Sequence, residues 1–400
     1  MQKMENPKAS ADQPEPRDIY KIAYIIHFLL GAGNLLPWNA FITAVDYFGY
    51  LYPDKHVEKV FSVGYMSSSL LVLVVMMSSG CCSRMFTHRF RMNMGFSMFI
   101  LSLMVAPTID WAWHSSWSKE RQDTTYFVTV AAVVICGLAD GLIAGSLIGS
   151  AGKLPKQYMQ AIFAGTASSG VLVSILRIIT KASLPQTPQG LRASAHFYFI
   201  VSTTILLCCV LCSNLLYKLP VMQQHYRLHG DDIFCSRTQF WTVARKVCWP
   251  ALGILMIYVV TLSIFPGFIA ENLESKLLQE WYPVLLITLY NVADFMGKSL
   301  TAIYVLRSIK KATWASISRL LFYPLFIACL HGPKWLKGEI PVVVLTFLLG
   351  LTNGYLTSVL MILGPKTVPV SEAELSAIVL VLFLGIGLVS GSVLGWFWII

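Results

Sequence analysis

Charge is scarce in this chain. Of its 400 residues 12% are charged and 56% hydrophobic, whereas soluble domains carry about 25% charged residues. The runs Ile22 to Val45, Val60 to Ser83, Ala193 to Tyr217, Val247 to Ala270, Ile340 to Pro365 and Leu375 to Ile400 hold no Asp, Glu, Lys or Arg at all. A helix needs about 20 apolar residues to cross a bilayer. A soluble core absorbs one such run but not six, so the chain reads as a membrane protein. Other features are missing too. Positions 1–19 are polar, and the apolar run after them is too long for a signal-peptide core. The first span is therefore expected to anchor the chain itself. There is no Asn-x-Ser/Thr sequon, no H-E-x-x-H, no pair of catalytic acids and no nucleophile elbow. Catalysis is not expected, nor a cofactor. The nine cysteines form no framework: Cys208, Cys209 and Cys212 have a metal-like spacing but lie in an apolar run, where cysteine serves as small filler.

What is present is a series of long apolar segments punctuated by Gly, Pro, Trp and Tyr. Together they predict an all-α polytopic membrane protein with about eleven spans: 20–48, 58–80, 92–111, 126–150, 157–181, 193–217, 246–267, 281–305, 312–331, 340–364 and 373–399. The ninth is interrupted by Arg319 and Pro324. With the N-terminus in the cytosol, this count places about twice as many Lys and Arg on the cytosolic side as outside, the positive-inside pattern. The net charge of +10 then needs no nucleic-acid partner to explain it. The C-terminus falls on the opposite side. The expected division is a cytosolic tail over 1–19, a six-helix bundle over 20–217, a cytosolic linker loop over 218–245 and a five-helix bundle over 246–400. Gly141, Gly145 and Gly149, then Gly387, Gly391 and Gly395, and Gly350 with Gly354, repeat every fourth residue. Such ridges let helix backbones approach closely in lipid.

Ionisable residues inside a bilayer cost about 2.5–3.5 kcal/mol each on translocon scales, so each is a candidate functional residue. Asp294 and Lys298 are four apart and share a helix face, with Asn291 one turn earlier. This stripe reads either as a ligand site or as a structural ion pair. Asp140 has no cation within a turn on its own helix; it is a candidate to bind and release a proton, or else to be neutralised by Arg177 on the next span. Arg319 is expected to reach toward the cytosolic interface. In the first span, glycine pairs and Pro37 weaken the helix near mid-membrane, where broken helices can line a cavity. There Trp38 offers a flat ring and Asn39 a polar handle, and Phe265-Pro266 pairs a second aromatic with a helix breaker.

The stretch GAGNLLPWNAFITAVDYF, Gly31 to Phe48, resembles the first-helix signature of the equilibrative nucleoside transporters. NVADFMGKSLTA, from Asn291 to Ala302, resembles their eighth-helix motif, and GSLIGSAGKLP, from Gly145, and Phe265-Pro266 match in order. The resemblance covers essentially the whole chain, and KIAYIIHFLLGAG and KASLPQTPQG resemble the plant branch. It implies a major-facilitator-like 6+5 two-bundle architecture around an internal cavity, with nucleosides as substrates. It further implies that Asp294 contacts ribose, that Lys298 stands in for an arginine, and that Leu35, Trp38, Ile42, Met66, Phe265 and Asn291 line the cavity. Ala144 replaces a base-contacting glutamine of animal members. Asp140 stands where they carry glycine, and since the plant branch includes proton-coupled carriers it becomes the expected coupling residue. The expected partners are a nucleoside and the bilayer, a monomer being sufficient, in the plasma or vacuolar membrane. Uncoupled facilitation, nucleobase or organic-cation carriage, and a receptor are the rivals.

Overall fold

The computed structural model describes residues 21–395 except 54, 79–85, 113–118, 186, 224–236, 266–274, 276–277, 280 and 334–337. Among these residues all regular structure is helical. In chain order the spans are Ile22–Thr43, Val57–Ser78, His88–Ala112, Lys119–Gly152, Lys156–Ser183, Pro188–Leu216, Cys248–Ile264, Trp281–Ile303, a ninth built from Ile309–Ser318 and Phe322–His331, Glu339–Leu363 and Val370–Gly395. They are called spans 1 to 11 below. Among the described residues nine of these spans, Ile309–His331 counted as one, are long and apolar enough to cross a membrane, and span 7 qualifies together with Phe240–Lys246, from which it bends by 76°. The remaining helix, span 8, is 23 residues long and carries Asp294 and Lys298, which dilute its hydrophobicity.

Two expectations about helix breaks change. The helix of span 1 runs unbroken through Pro37 and ends at Thr43, where Ala44 leads into the short helix Val45–Leu51. Pro37 lacks only one amide hydrogen bond, and span 1 is held along its length by span 5. A Cβ on Gly31 would lie 2.2 Å from the Ile162 carbonyl oxygen, and one on Gly165 would lie 2.0 Å from that of Phe28. The second change is in the linker: Arg237–Lys246 is a helix, so the expected loop over 218–245 is helical at its end. The ninth span does break where expected, with a 3₁₀ turn over Arg319–Leu321. Pro324 cannot donate to the Leu320 carbonyl, and the chain tightens to compensate.

The predicted glycine ridges become helix seams. Gly141 meets the Ser69 carbonyl of span 2, Gly354 meets that of Asp294 in span 8, and Gly387 and Gly391 meet the backbone of span 7. Packing pairs span 1 with 5 and 2 with 4 in the first bundle, and 7 with 11 and 8 with 10 in the second. The bundles meet where span 5 touches 8 and span 11 touches 2 and 4. Adding six to each number of the first set gives the second, and the meeting of 5 with 8 mirrors that of 11 with 2. An approximate two-fold relation thus links the halves, although no strong repeat is visible in the residues.

Candidate functional site

Between the bundles lies a cavity of about 170 Å³, counted as space open to the centre of a water-sized solute. Leu35, Trp38, Ile42, Met66, Phe265, Asn291, Asp294 and Lys298 all line it, and so does Asp140 from the opposite wall. Residues of spans 1, 2, 4, 5, 7, 8, 10 and 11 thus converge on one space. The helical stripe of span 8 supplies its polar wall.

On that wall Asp294 and Lys298 are 7% and 4% exposed. The Lys298 ammonium lies 2.8 Å from Asp294 Oδ2, and Asn353 Nδ2 of span 10 donates to Asp294 Oδ1 at 2.7 Å. Lys298 also reaches Thr166 Oγ1 of span 5 at 3.4 Å. Asn291 Nδ2 donates to Ser174 Oγ at 2.8 Å and to the Gly170 carbonyl at 3.3 Å, also in span 5. The stripe therefore works in two directions: Asp294 faces its own bundle through Asn353, while Asn291 and Lys298 cross to the other. In a low-dielectric interior the pair survives because each charge has hydrogen-bonding company beyond its partner. A carboxylate offers about four acceptor positions, so two remain for donors on a solute.

Asp140 is set differently. Ser69 Oγ donates to its Oδ2 at 2.7 Å. Arg177, offered above as a neutralising partner, lies elsewhere. Its guanidinium donates to the Thr43 carbonyl and to Asp46 Oδ2, both at 2.7 Å, in a separate cleft. It sits at the far end of span 5, where Asp46 of the short helix can reach it and Asp140 cannot. The expectation for Arg319 is also corrected. It does not reach for the interface but is 2% exposed, donating from Nη2 to Thr261 Oγ1 at 2.7 Å and to the Leu349 carbonyl at 3.4 Å. The 3₁₀ turn beneath it points the side chain into the bundle.

Aromatic surface surrounds the polar groups. Trp38 packs on Tyr65 with ring centres 4.8 Å apart, and Phe265 stacks on Tyr290 at 3.9 Å and 18°; Pro266 lies outside the described residues. Asn39 donates to Ser169 Oγ at 2.9 Å and still borders the cavity. Sequence reasoning missed Tyr65, Ser69, Thr261, Tyr290 and Asn353 as cavity residues. Asn353 carried a usable signal, being an amide beside Gly350 and Gly354 in a charge-free run. The hydroxyls and tyrosines did not stand out from ordinary span composition.

On the side carrying most of the basic residues the two bundles are clasped. Lys153, after span 4, bonds Glu374 of span 11 at 2.5 Å, both being mostly buried. A Cβ on Gly152 would approach the Ala373 carbonyl to 2.7 Å.

Two bundles of spans around a central, mostly apolar cavity with a charged wall form an architecture of the major-facilitator type. The proton:xylose symporter XylE, of the major facilitator superfamily, superposes with a TM-score of 0.68 over 96% of this chain and 89% of its own, at 14% identity. The fucose:proton symporter FucP of E. coli gives 0.60 over 93% and 90%, at 13% identity. The family model described as nucleoside transporter matches residues 130–238 and 229–400. Equilibrative nucleotide transporter 8 of Arabidopsis thaliana is 67% identical, over 99% of this chain and 100% of that protein. Equilibrative nucleotide transporter 1 of the same plant is 48% identical, over 99% and 90%. The chain belongs to the equilibrative nucleoside transporter family, in its plant-type branch, and is not an enzyme.

Proposed function

We propose that this protein carries neutral nucleosides such as adenosine and uridine across the membrane by alternating access, driven by protons. The observation that carries the substrate assignment is the placement of Asp294, Lys298 and Asn291 on one wall of the cavity, with aromatic rings beside them. Asp294 accepts from ribose hydroxyls, Lys298 holds the carboxylate and donates to the sugar, and the base lies against Trp38 or Phe265.

The names of the relatives speak of nucleotides, and the lining argues for the uncharged form. Among the described residues its acids are Asp140 and Asp294 and its base is Lys298. A phosphate entering would face two carboxylates and one ammonium across a medium that screens poorly.

Asp140 is the proton carrier in this reading, its carboxyl sharing the cavity with the substrate but having no cation among its hydrogen-bond partners. A neutral nucleoside gives the membrane potential nothing to act on. One accompanying proton supplies about 2.3 kcal/mol per 100 mV and about 1.4 kcal/mol per pH unit, together enough for about several-hundredfold accumulation. The clasp of Lys153 and Glu374 closes the cytosolic side, with the N-terminus on that side. The host membrane is the plasma or the vacuolar membrane. Downhill carriage without a proton is the second reading, favoured by the word equilibrative in the relatives' names. Uptake of labelled adenosine and uridine at two external pH values, with and without an uncoupler, separates the two. Acid-stimulated, uncoupler-sensitive accumulation supports the symporter, and indifference to both removes it.

A further inference from the structure

Four side chains from four spans form one chain of hydrogen bonds that starts behind the cavity wall at Arg319 and runs along it. Arg319 Nη2 of span 9 reaches Thr261 Oγ1 of span 7 at 2.7 Å. Thr261 Oγ1 reaches Asn353 Oδ1 of span 10 at 2.9 Å, and Asn353 Nδ2 reaches Asp294 Oδ1 of span 8 at 2.7 Å. Chemistry fixes the direction of every link. A guanidinium only donates, so the Thr261 oxygen accepts and its single hydrogen is free to point at Asn353. The Asn353 oxygen is thereby committed as acceptor, and its amide nitrogen must face Asp294. Reversing any link would set donor against donor or acceptor against acceptor. All four residues are buried, with Thr261 at 2%, Arg319 at 2% and Asn353 at 4% exposure. Nε and Nη1 of Arg319 make no hydrogen bond, so the Nη2 arm carries its polar link to this chain.

We infer that Arg319, acting through Thr261 and Asn353, is a positioning residue that fixes the Asp294 carboxylate as an acceptor aimed at a vicinal diol on the substrate. The inference rests on the assignment of Asp294 to ribose given above. With Oδ1 pinned by Asn353 and Oδ2 by Lys298, the carboxylate cannot swing, and one acceptor position on each oxygen stays open. A group pinned at both oxygens favours a solute with two adjacent hydroxyls over one with none. Arg319 does not itself line the cavity but bonds Thr261, which does, so its effect on selectivity has to travel along the chain.

The test compares uridine with 2′,3′-dideoxyuridine, which has the same base and lacks the diol. The half-saturation ratio of the two is measured in proteoliposomes at matched protein content. Thr261→Val keeps shape and removes the relay; the ratio should fall by about tenfold, mainly through weaker uridine binding. Thr261→Ser should keep the ratio. Should the Val variant be retained inside the cell, Arg319→Lys carries the test, because its ammonium keeps the charge but shortens the reach, and a several-fold fall is expected. A role in packing alone would lower transport of both solutes together and leave the ratio unmoved, which overturns the inference. Asp294→Asn is compared alongside by equilibrium binding of the two solutes, because its transport is expected to be small. Loss of discrimination there, with none in Thr261→Val or Arg319→Lys, removes the relay and keeps the site. Full discrimination in Asp294→Asn removes both.

Discussion

Asp140 and Asp294 face the same cavity from opposite bundles and keep different company. Asp294 is held by Lys298 and Asn353, and Asp140 by Ser69. In the proposed function the two identical side chains take two tasks: one with a cation at hand stays in place as an acceptor, while the other has a hydroxyl that can serve it with or without a proton. This division of labour is what the predictions test.

Asp294→Asn preserves shape and leaves Lys298 as a buried charge without its counter-ion. Breaking a buried pair from one side costs about 3–5 kcal/mol. Nucleoside uptake should fall by at least about a hundredfold, measured per molecule reaching the membrane by surface labelling. Near-normal uptake would take Asp294 out of the site.

Asp140→Asn removes the proton acceptor but keeps a hydrogen-bonding group for Ser69. Acidifying the outside should stimulate uptake by the parent protein and leave the variant unaffected. Counterflow of labelled against unlabelled nucleoside should persist in the variant, since exchange needs no net proton movement. A variant that still concentrates nucleoside in an acid-dependent way contradicts the assignment.

Gly31→Val drives a side chain into the Ile162 carbonyl, at a place where two backbones already touch. Overpacking of this kind costs about 1–3 kcal/mol or more, and the variant should lose thermal stability in detergent and membrane abundance. Gly49→Ala, which meets nothing within 4 Å, is the matched control and should behave as the parent.

Glu374→Gln weakens the clasp with Lys153 on the side proposed to be cytosolic. A cysteine introduced at Ile148, which borders the cavity, should then react several-fold faster with a thiol reagent applied from that side. An unchanged rate would show that backbone packing around Gly152 closes that side without the ion pair.

Much of this architecture was legible because lipid leaves few choices. With no water to satisfy the backbone, charge-free runs become helices, and glycines at every fourth position become the seams that Gly141, Gly354 and Gly387 form. The stripe of Asn291, Asp294 and Lys298 was legible for the same reason: ionisable groups in lipid need a purpose or a partner. Arg319 was misread, and the pairing of Asp140 with Arg177 was left open, because spacing along one helix does not report depth or the neighbouring span. Arg177 lies within reach of Asp46 on a short helix after the first span, and Arg319 is turned inward by a 3₁₀ turn. Pro37 misled in the opposite direction. Packing of Gly31 and Gly165 holds the helix through a residue that on its own weakens it. Thr261 and Asn353 gain their meaning only from being set end to end by three other spans.

The most direct test of the account is uptake of labelled adenosine into proteoliposomes with an acid exterior, comparing the parent protein, Asp294→Asn and Asp140→Asn at equal protein content. The account predicts concentrative uptake for the parent, almost none for Asp294→Asn, and equilibration without accumulation for Asp140→Asn. Equal concentrative uptake by all three would contradict it.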